Sequence, residues 1–147
     1  MEYKRDGRSP IPEDNKTSRV MSANRGKNTG PELILRKALR DAGLLGYRLH
    51  YEGAPGRPDV SYPGKRVAIF VHGCFWHRCP KCRMPIPRSH SEFWKSKFEA
   101  NKRRDRAKTR ALISDGWNVL TIWECEIERD IVSCISRVRQ SLGVGRE

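Results

Sequence analysis

GRPDVSYPGKRVAIFVHGCFWHRCPKC, residues 56–82, carries a carboxylate, two histidines, three of the chain's five cysteines and an adjacent pair of large aromatics. Val60–Tyr62 and Arg66–Val71 are apolar or β-branched runs separated by Tyr62-Pro63-Gly64-Lys65. Pro presets φ and Gly accepts positive φ, so the spacing predicts a hairpin folded near Gly64 and Lys65. That fold sets Asp59 opposite Phe70 and Val71, beside His72 and, after Gly73-Cys74-Phe75-Trp76, His77. A carboxylate facing two imidazoles can hold a hard cation and supply proton transfer. Read alone, Asp59 is a surface acid behind a turn proline. The two histidines in register point to chemistry instead.

Cys74, Cys79 and Cys82 form a C-x4-C-x2-C cluster, and Cys125 lies far downstream in Ile122-Trp123-Glu124-Cys125. A close thiolate group joined to a distant fourth ligand is a usual way for Zn²⁺ to staple a loop to a core. No secretory signal is read, so disulfides are the weaker reading. His77 is an alternative to Cys79 as a ligand. Cys134, in an apolar setting, reads as a buried free thiol.

Lys and Arg number 30 against 17 Asp and Glu, a net charge of +13 on 147 residues. That length suits one domain with one core, and the charge favours phosphate binding. A ribosomal-type protein or a merely basic surface has the same composition. No apolar run approaches the ~18 residues of a membrane span, and the thiols suit a reducing cytoplasm.

Thr29-Gly30-Pro31-Glu32 opens the first helix, with a T-x-x-E capping box and Pro in the first turn. Leu35, Ala38, Leu39 and Ala42 mark its buried face. Tyr47–Tyr51 reads as a strand. A long helix is expected from Ser91 to about Ser114, carrying eight basic and two acidic residues between Lys95 and Arg110. Lys97, Asn101 and Asp105 share one polar stripe of it. Arg103, Arg104, Arg106 and Lys108 read as a solvated face or nonspecific phosphate contacts. Trp117–Trp123 is a buried strand ending at Glu124-Cys125, and Ile127 to about Leu142 is a final amphipathic helix.

GRPD at 56–59, FVHGCFWH at 70–77, SEFW at 91–94, NKRRD at 101–105 and GWNVLTIWEC at 116–125 resemble the very short patch repair (Vsr) endonucleases, of the PD-(D/E)xK nuclease superfamily. Those bacterial enzymes nick DNA beside a T·G mismatch left by deamination of 5-methylcytosine. The likeness runs from about Ser18 to about Ile127. It implies an α/β, restriction-endonuclease-like fold: a mixed central β-sheet flanked by helices, with a structural zinc site. A single domain would span 18–147 behind a flexible arm at 1–17.

The resemblance also implies roles. Asp59 and the Val71 carbonyl would hold Mg²⁺, and Cys74, Cys79, Cys82 and Cys125 would hold Zn²⁺. His77, steadied by Asp105, would act as base with His72 assisting. Glu32 would be an acid of the metal site or a helix cap, roles one carboxylate can combine. Phe75, Trp76 and Trp94 would wedge into the base stack, where unstacking a mispair costs least, and at least two of the three are expected to be exposed. Lys97 and Asn101 would read the mismatch. Met21 would lie near it from the minor-groove side, or dock on the core. The sequence departs from the superfamily at Ile69-Phe70-Val71, where an acidic residue and a Lys are usual. Some Vsr members have Thr at the Val71 position and Asp at the His72 position. Implied partners are double-stranded DNA with a T·G mismatch, mismatch-repair proteins and a cognate cytosine-5 methyltransferase system. The protein would act as a monomer in the bacterial cytoplasm. A nuclease with another target, and a zinc-stapled DNA-binding module without catalysis, are the alternatives.

Overall fold

The structure, a computed structural model, describes residues 29–143. The expected N-terminal arm and Met21 lie outside them. Helix α1 (Gly30–Asp41) starts as read: the Thr29 side chain accepts a 3.4 Å hydrogen bond from the Glu32 N–H, and Pro31 occupies the first turn. The Glu32 carboxylate turns inward and is only 1% exposed.

Strands β1 (Arg48–Leu49), β2 (Val60–Tyr62), β3 (Val67–His72) and β4 (Asn118–Trp123) form one mixed sheet in that order. The pairs β1–β2 and β2–β3 are antiparallel and β3–β4 is parallel. The expected strand over Tyr47–Tyr51 shrinks to two residues, because His50 takes a left-handed φ of 47° and ends it. The hairpin register matches expectation: Val60 faces Ile69, which leaves Asp59 level with Phe70. Its turn differs. Pro63–Lys65 forms a 3₁₀ turn and the left-handed residue is Arg66 (φ 55°), not Gly64. Arg66 is held there by its guanidinium, which donates to the Asp115 carbonyl (2.9 Å) and lies over the Trp117 ring.

Helix α2 (Ser91–Ser114) is the crossover from β3 to the parallel β4 and has the predicted bounds. The expected C-terminal helix is two, α3 (Glu124–Arg129) and α4 (Ile131–Leu142). Asp130 breaks it with an extended φ of −155° and caps α4 by accepting from the Ser133 N–H at 3.1 Å.

Side-chain alternation along β3 builds a core on each face of the sheet. Val67 and Ile69 pack with Leu35 and Leu39 of α1, Ile122, and Cys134, Ile135 and Val138 of α4. Ala68 and Phe70 pack on the other face with Leu112 of α2 and Trp117. His72 follows Phe70 by two, so it emerges on the α2 face. Cys134 is a buried free thiol, as read.

Candidate active site

The end of β3, the start of α1 and the middle of α2 enclose a cavity of about 700 Å³, lined by Glu32, Asp59, Val71, His72, His77 and Asp105 among others. The hairpin accounts for the first contact. The Val71 N–H donates to Asp59 Oδ2 at 2.8 Å, which fixes the carboxylate at the strand end. Burial, resisted by that N–H and reinforced by the nearby Glu32 charge, pushes the Asp59 carboxyl up to about 7. Two desolvated carboxylates side by side are costly without a positive charge between them.

His50 completes this corner, and the sequence reading missed it. Its Nε2 lies 3.3 Å from Glu32 Oε2 and its Nδ1 lies 4.0 Å from Asp59 Oδ1. Arg36 pairs with Glu32 one turn along α1 and approaches His50 Nε2 at 3.4 Å. Glu32, His50 and Asp59 can each present a ligand atom to one ion.

The opposite wall is an imidazole stack. The rings of His72 and His77 are 3.9 Å apart and 5° from parallel. His77 Nδ1 lies 2.6 Å from Asp105 Oδ2, and His72 Nε2 lies 3.9 Å from Asp105 Oδ1. Burial, and then the neighbouring His77, drive His72 down to about 4 despite Asp105, so it is neutral near pH 7. Burial would raise Asp105, but the His77 hydrogen bond and charge outweigh it and hold the carboxyl below its ordinary value. An ionised carboxylate only accepts, so Nδ1 of His77 carries the proton of that hydrogen bond.

The thiols converge behind this wall. Cys74, Cys79, Cys82 and Cys125 offer four sulfurs within 4.8 Å of one another. Cys79 Sγ and Cys125 Sγ are 3.7 Å apart, which is the edge of about 3.8 Å of a tetrahedron with ~2.3 Å metal–sulfur bonds. His77 Nδ1 is engaged with Asp105, while the Cys79 sulfur lies with the other three thiols, so those four can offer ligand atoms to one ion. Burial pushes the Cys74 and Cys125 thiols up. In Cys79 burial acts in the same sense, but backbone N–H groups of Cys82 and Lys81 overcome it and the thiol lies low. Glu124, also unanticipated, accepts from the Cys74 N–H at 3.1 Å and lines the cavity.

The aromatic expectation is overturned. Phe75 is 8% and Trp94 2% exposed, and only Trp76 of the three is partly open. Phe75 packs edge-on against Phe98 (5.3 Å) and Trp94 (5.8 Å), since Trp94 and Phe98 are i, i+4 neighbours on the α2 face beneath the loop. The Arg78 guanidinium covers the Phe98 ring at 4.2 Å. Trp94→Ala is therefore expected to lower the unfolding free energy by about 3–5 kcal/mol. A denaturant titration showing a loss under ~1 kcal/mol would rule out this packing role.

Lys97, Asn101 and Asp105 do lie along one partly exposed stripe of α2. Asn101 Nδ2 donates to the Trp76 carbonyl (3.1 Å) and its Oδ1 accepts from Arg104 (2.8 Å), so its amide ties the aromatic loop to the helix.

Among the described residues, no helix is long and apolar enough to cross a membrane. The family model described as DNA mismatch endonuclease Vsr matches residues 10–83. The chain is 41% identical over 124 residues to the type II nicking enzyme V.XorIIP of Xanthomonas oryzae, covering 84% of this chain and 89% of that protein. It is 37% identical over 134 residues to the type II nicking enzyme V.NaeI of Lentzea aerocolonigenes, covering 88% and 80%. With the DNA mismatch endonuclease Vsr of Escherichia coli it shares 37% identity over 110 residues, covering 75% and 70%. The family match, the long alignments and the mixed α/β fold agree, and the chain belongs to the Vsr family of DNA endonucleases.

Proposed function

We propose that this protein nicks the T-containing strand of duplex DNA at T·G mismatches, with Mg²⁺ as catalytic and Zn²⁺ as structural ion. The carrying observation is the convergence of Asp59, the Val71 backbone, His72, His77 and Asp105 on one cavity. The hard oxygen donors of Asp59 and Glu32 fit Mg²⁺, and the four sulfurs fit Zn²⁺. Asp59 and the Val71 carbonyl would hold the Mg²⁺, with Glu32 supporting. When bound, that ion supplies charge stabilisation at the phosphate and the leaving oxygen.

His77 Nε2 takes the proton of the attacking water, and Asp105 holds the ring and stabilises its charged form. Neutral His72, stacked on that ring, keeps water from its rear face. Trp76, the open aromatic of the loop, is the surface on which an unstacked base would rest, over the floor of Phe75 and Trp94. Lys97 and Asn101 flank it on α2, and Met21 would approach from the other groove. Residues 18–147 would act as one catalytic domain behind the arm, as a monomer, since one strand is cut. Partners would be T·G-bearing DNA, mismatch-repair proteins and a cytosine-5 methyltransferase system.

A second reading has support in names. V.XorIIP and V.NaeI are called nicking enzymes, with no mismatch in the name. Strand-specific cleavage with Mg²⁺ on T·G duplexes in varied contexts, beside matched T·A and C·G controls, separates the two. Cutting confined to the T strand of mismatched duplexes is the expected result. Equal cutting of matched duplexes would replace mismatch repair by general nicking.

A further inference from the structure

Four carboxylates, Glu32, Asp59, Asp105 and Glu124, line a cavity that must admit a phosphate, and Glu124 is turned to the Cys74 N–H. No cation arrives from β3, whose last residues are Ile69-Phe70-Val71 and the neutral His72. Among the described residues, Arg57 and Lys108 are the strong cations lining the cavity. Arg57 is spoken for: its guanidinium pairs with Glu52 at 2.7 Å at the surface. Lys108 stands three residues after Asp105, on the same face of α2 one turn along. Its aliphatic stem lies across Gly56, where an added Cβ would meet Lys108 Cγ at 2.8 Å and Lys108 Cβ at 2.9 Å. Gly56, at φ +77°, therefore meets two demands at once, the turn and the close passage of that stem. No carboxylate of the described residues lies within ion-pair distance of the Lys108 ammonium.

We propose that Lys108 is a catalytic residue of this nuclease: its ammonium binds a non-bridging oxygen of the scissile phosphate and stabilises the charge that grows there. This rests on the nuclease reading above and adds to it a cation delivered by a helix. The Lys108 charge is already felt at Asp59, His72 and Asp105, where it lowers all three. A compact, three-donor ammonium on a stem anchored by backbone suits a phosphate that changes shape during reaction.

The test uses the full, zinc-loaded chain and Lys108→Met, which keeps the stem and removes the charge. Single-turnover nicking by saturating enzyme is expected to fall about 100-fold, with partial recovery in Lys108→Arg. Binding without Mg²⁺ is then measured on two duplexes, one native and one with a neutral methylphosphonate at the linkage the wild type cuts. The wild type should bind the neutral duplex about tenfold more weakly. Lys108→Met should lose that preference, whereas Arg106→Met, a charge on α2 outside the cavity, should weaken both alike. Nicking by Lys108→Met within threefold of wild type, or a binding loss equal on both duplexes, overturns the inference alone. A wild-type chain that nicks no duplex overturns the nuclease reading and this inference together.

Discussion

Asp59→Asn is expected to reduce Mg²⁺-dependent nicking by about 10³–10⁴-fold, because the loss of several kcal/mol of charge stabilisation is tenfold per ~1.4 kcal/mol. The amide oxygen still accepts from the Val71 N–H, so the hairpin that presents the site stays closed. The same substitution alters how stability follows pH. Asp59 is raised from 3.8 to about 7 in the fold, so the folded state holds its proton longer than the unfolded chain does. Without a cation, its contribution is present below about pH 4 and is lost as pH rises towards about 7. His72, lowered from 6.5 to about 4, runs the other way, and its contribution grows over that interval.

Metal-free Asp59→Asn should therefore melt higher than metal-free wild type at pH 8, with the gap closing towards pH 4. Added Mg²⁺ should raise the wild-type melting temperature more at pH 8 than at pH 6, where it must first displace a proton. Thermal scans with and without Mg²⁺ at the three pH values read this directly. Undiminished nicking by the variant, or a Mg²⁺ effect independent of pH, would remove Asp59 from the metal site.

Stripping the four-thiol cluster is the second large effect expected. Zinc-finger peptides gain about 10–16 kcal/mol from their ion, as much as a whole domain's stability of ~5–15 kcal/mol. Here the sheet has cores of its own around Ile69 and Phe70. The loss should therefore fall first on the loop after β3, and nicking should fail by at least about 10²-fold before the sheet melts. Cys125→Ala should behave likewise, leaving three sulfurs and a cavity at the start of α3. Elemental analysis should find one zinc per chain, and nicking followed beside far-ultraviolet circular dichroism during chelation should separate the two losses. Full nicking by a zinc-free chain would reduce the cluster to four packed thiols.

The hairpin and its register were legible because two-residue alternation and a Pro-Gly turn leave few ways to pair β2 with β3. From that register came Asp59 beside Val71, and from helical spacing came the polar stripe that holds Asp105, while its pairing with His77 came from the family resemblance alone. His50 was not legible. It reaches Glu32 and Asp59 only because a left-handed backbone ends β1 beside them, and a lone histidine in a loop carries no spacing signal. Lys108 was hidden among eight basic residues that differ only in what lies opposite them. Phe75 and Trp94 were misjudged because a polar, cysteine-pinned loop says nothing of the aromatic face that α2 turns towards it. The break at Asp130 did have a signal, an N-cap acid before an apolar run.

His77 lies between Cys74 and Cys79, and the fourth thiol, Cys125, is 46 residues beyond Cys79. The proposed base is thus carried on a loop whose four-thiol cluster is complete only when β4 and the first turn of α3 exist. A chain still emerging from the ribosome, complete through α2 but not yet past Trp123, already has its acids and its basic helix. Its His77 loop has the α2 contacts of Asp105 and Asn101 but not the fourth thiol of its cluster. On the nuclease reading, such a nascent chain would hold its charge for DNA before it holds the staple of the loop that carries His77.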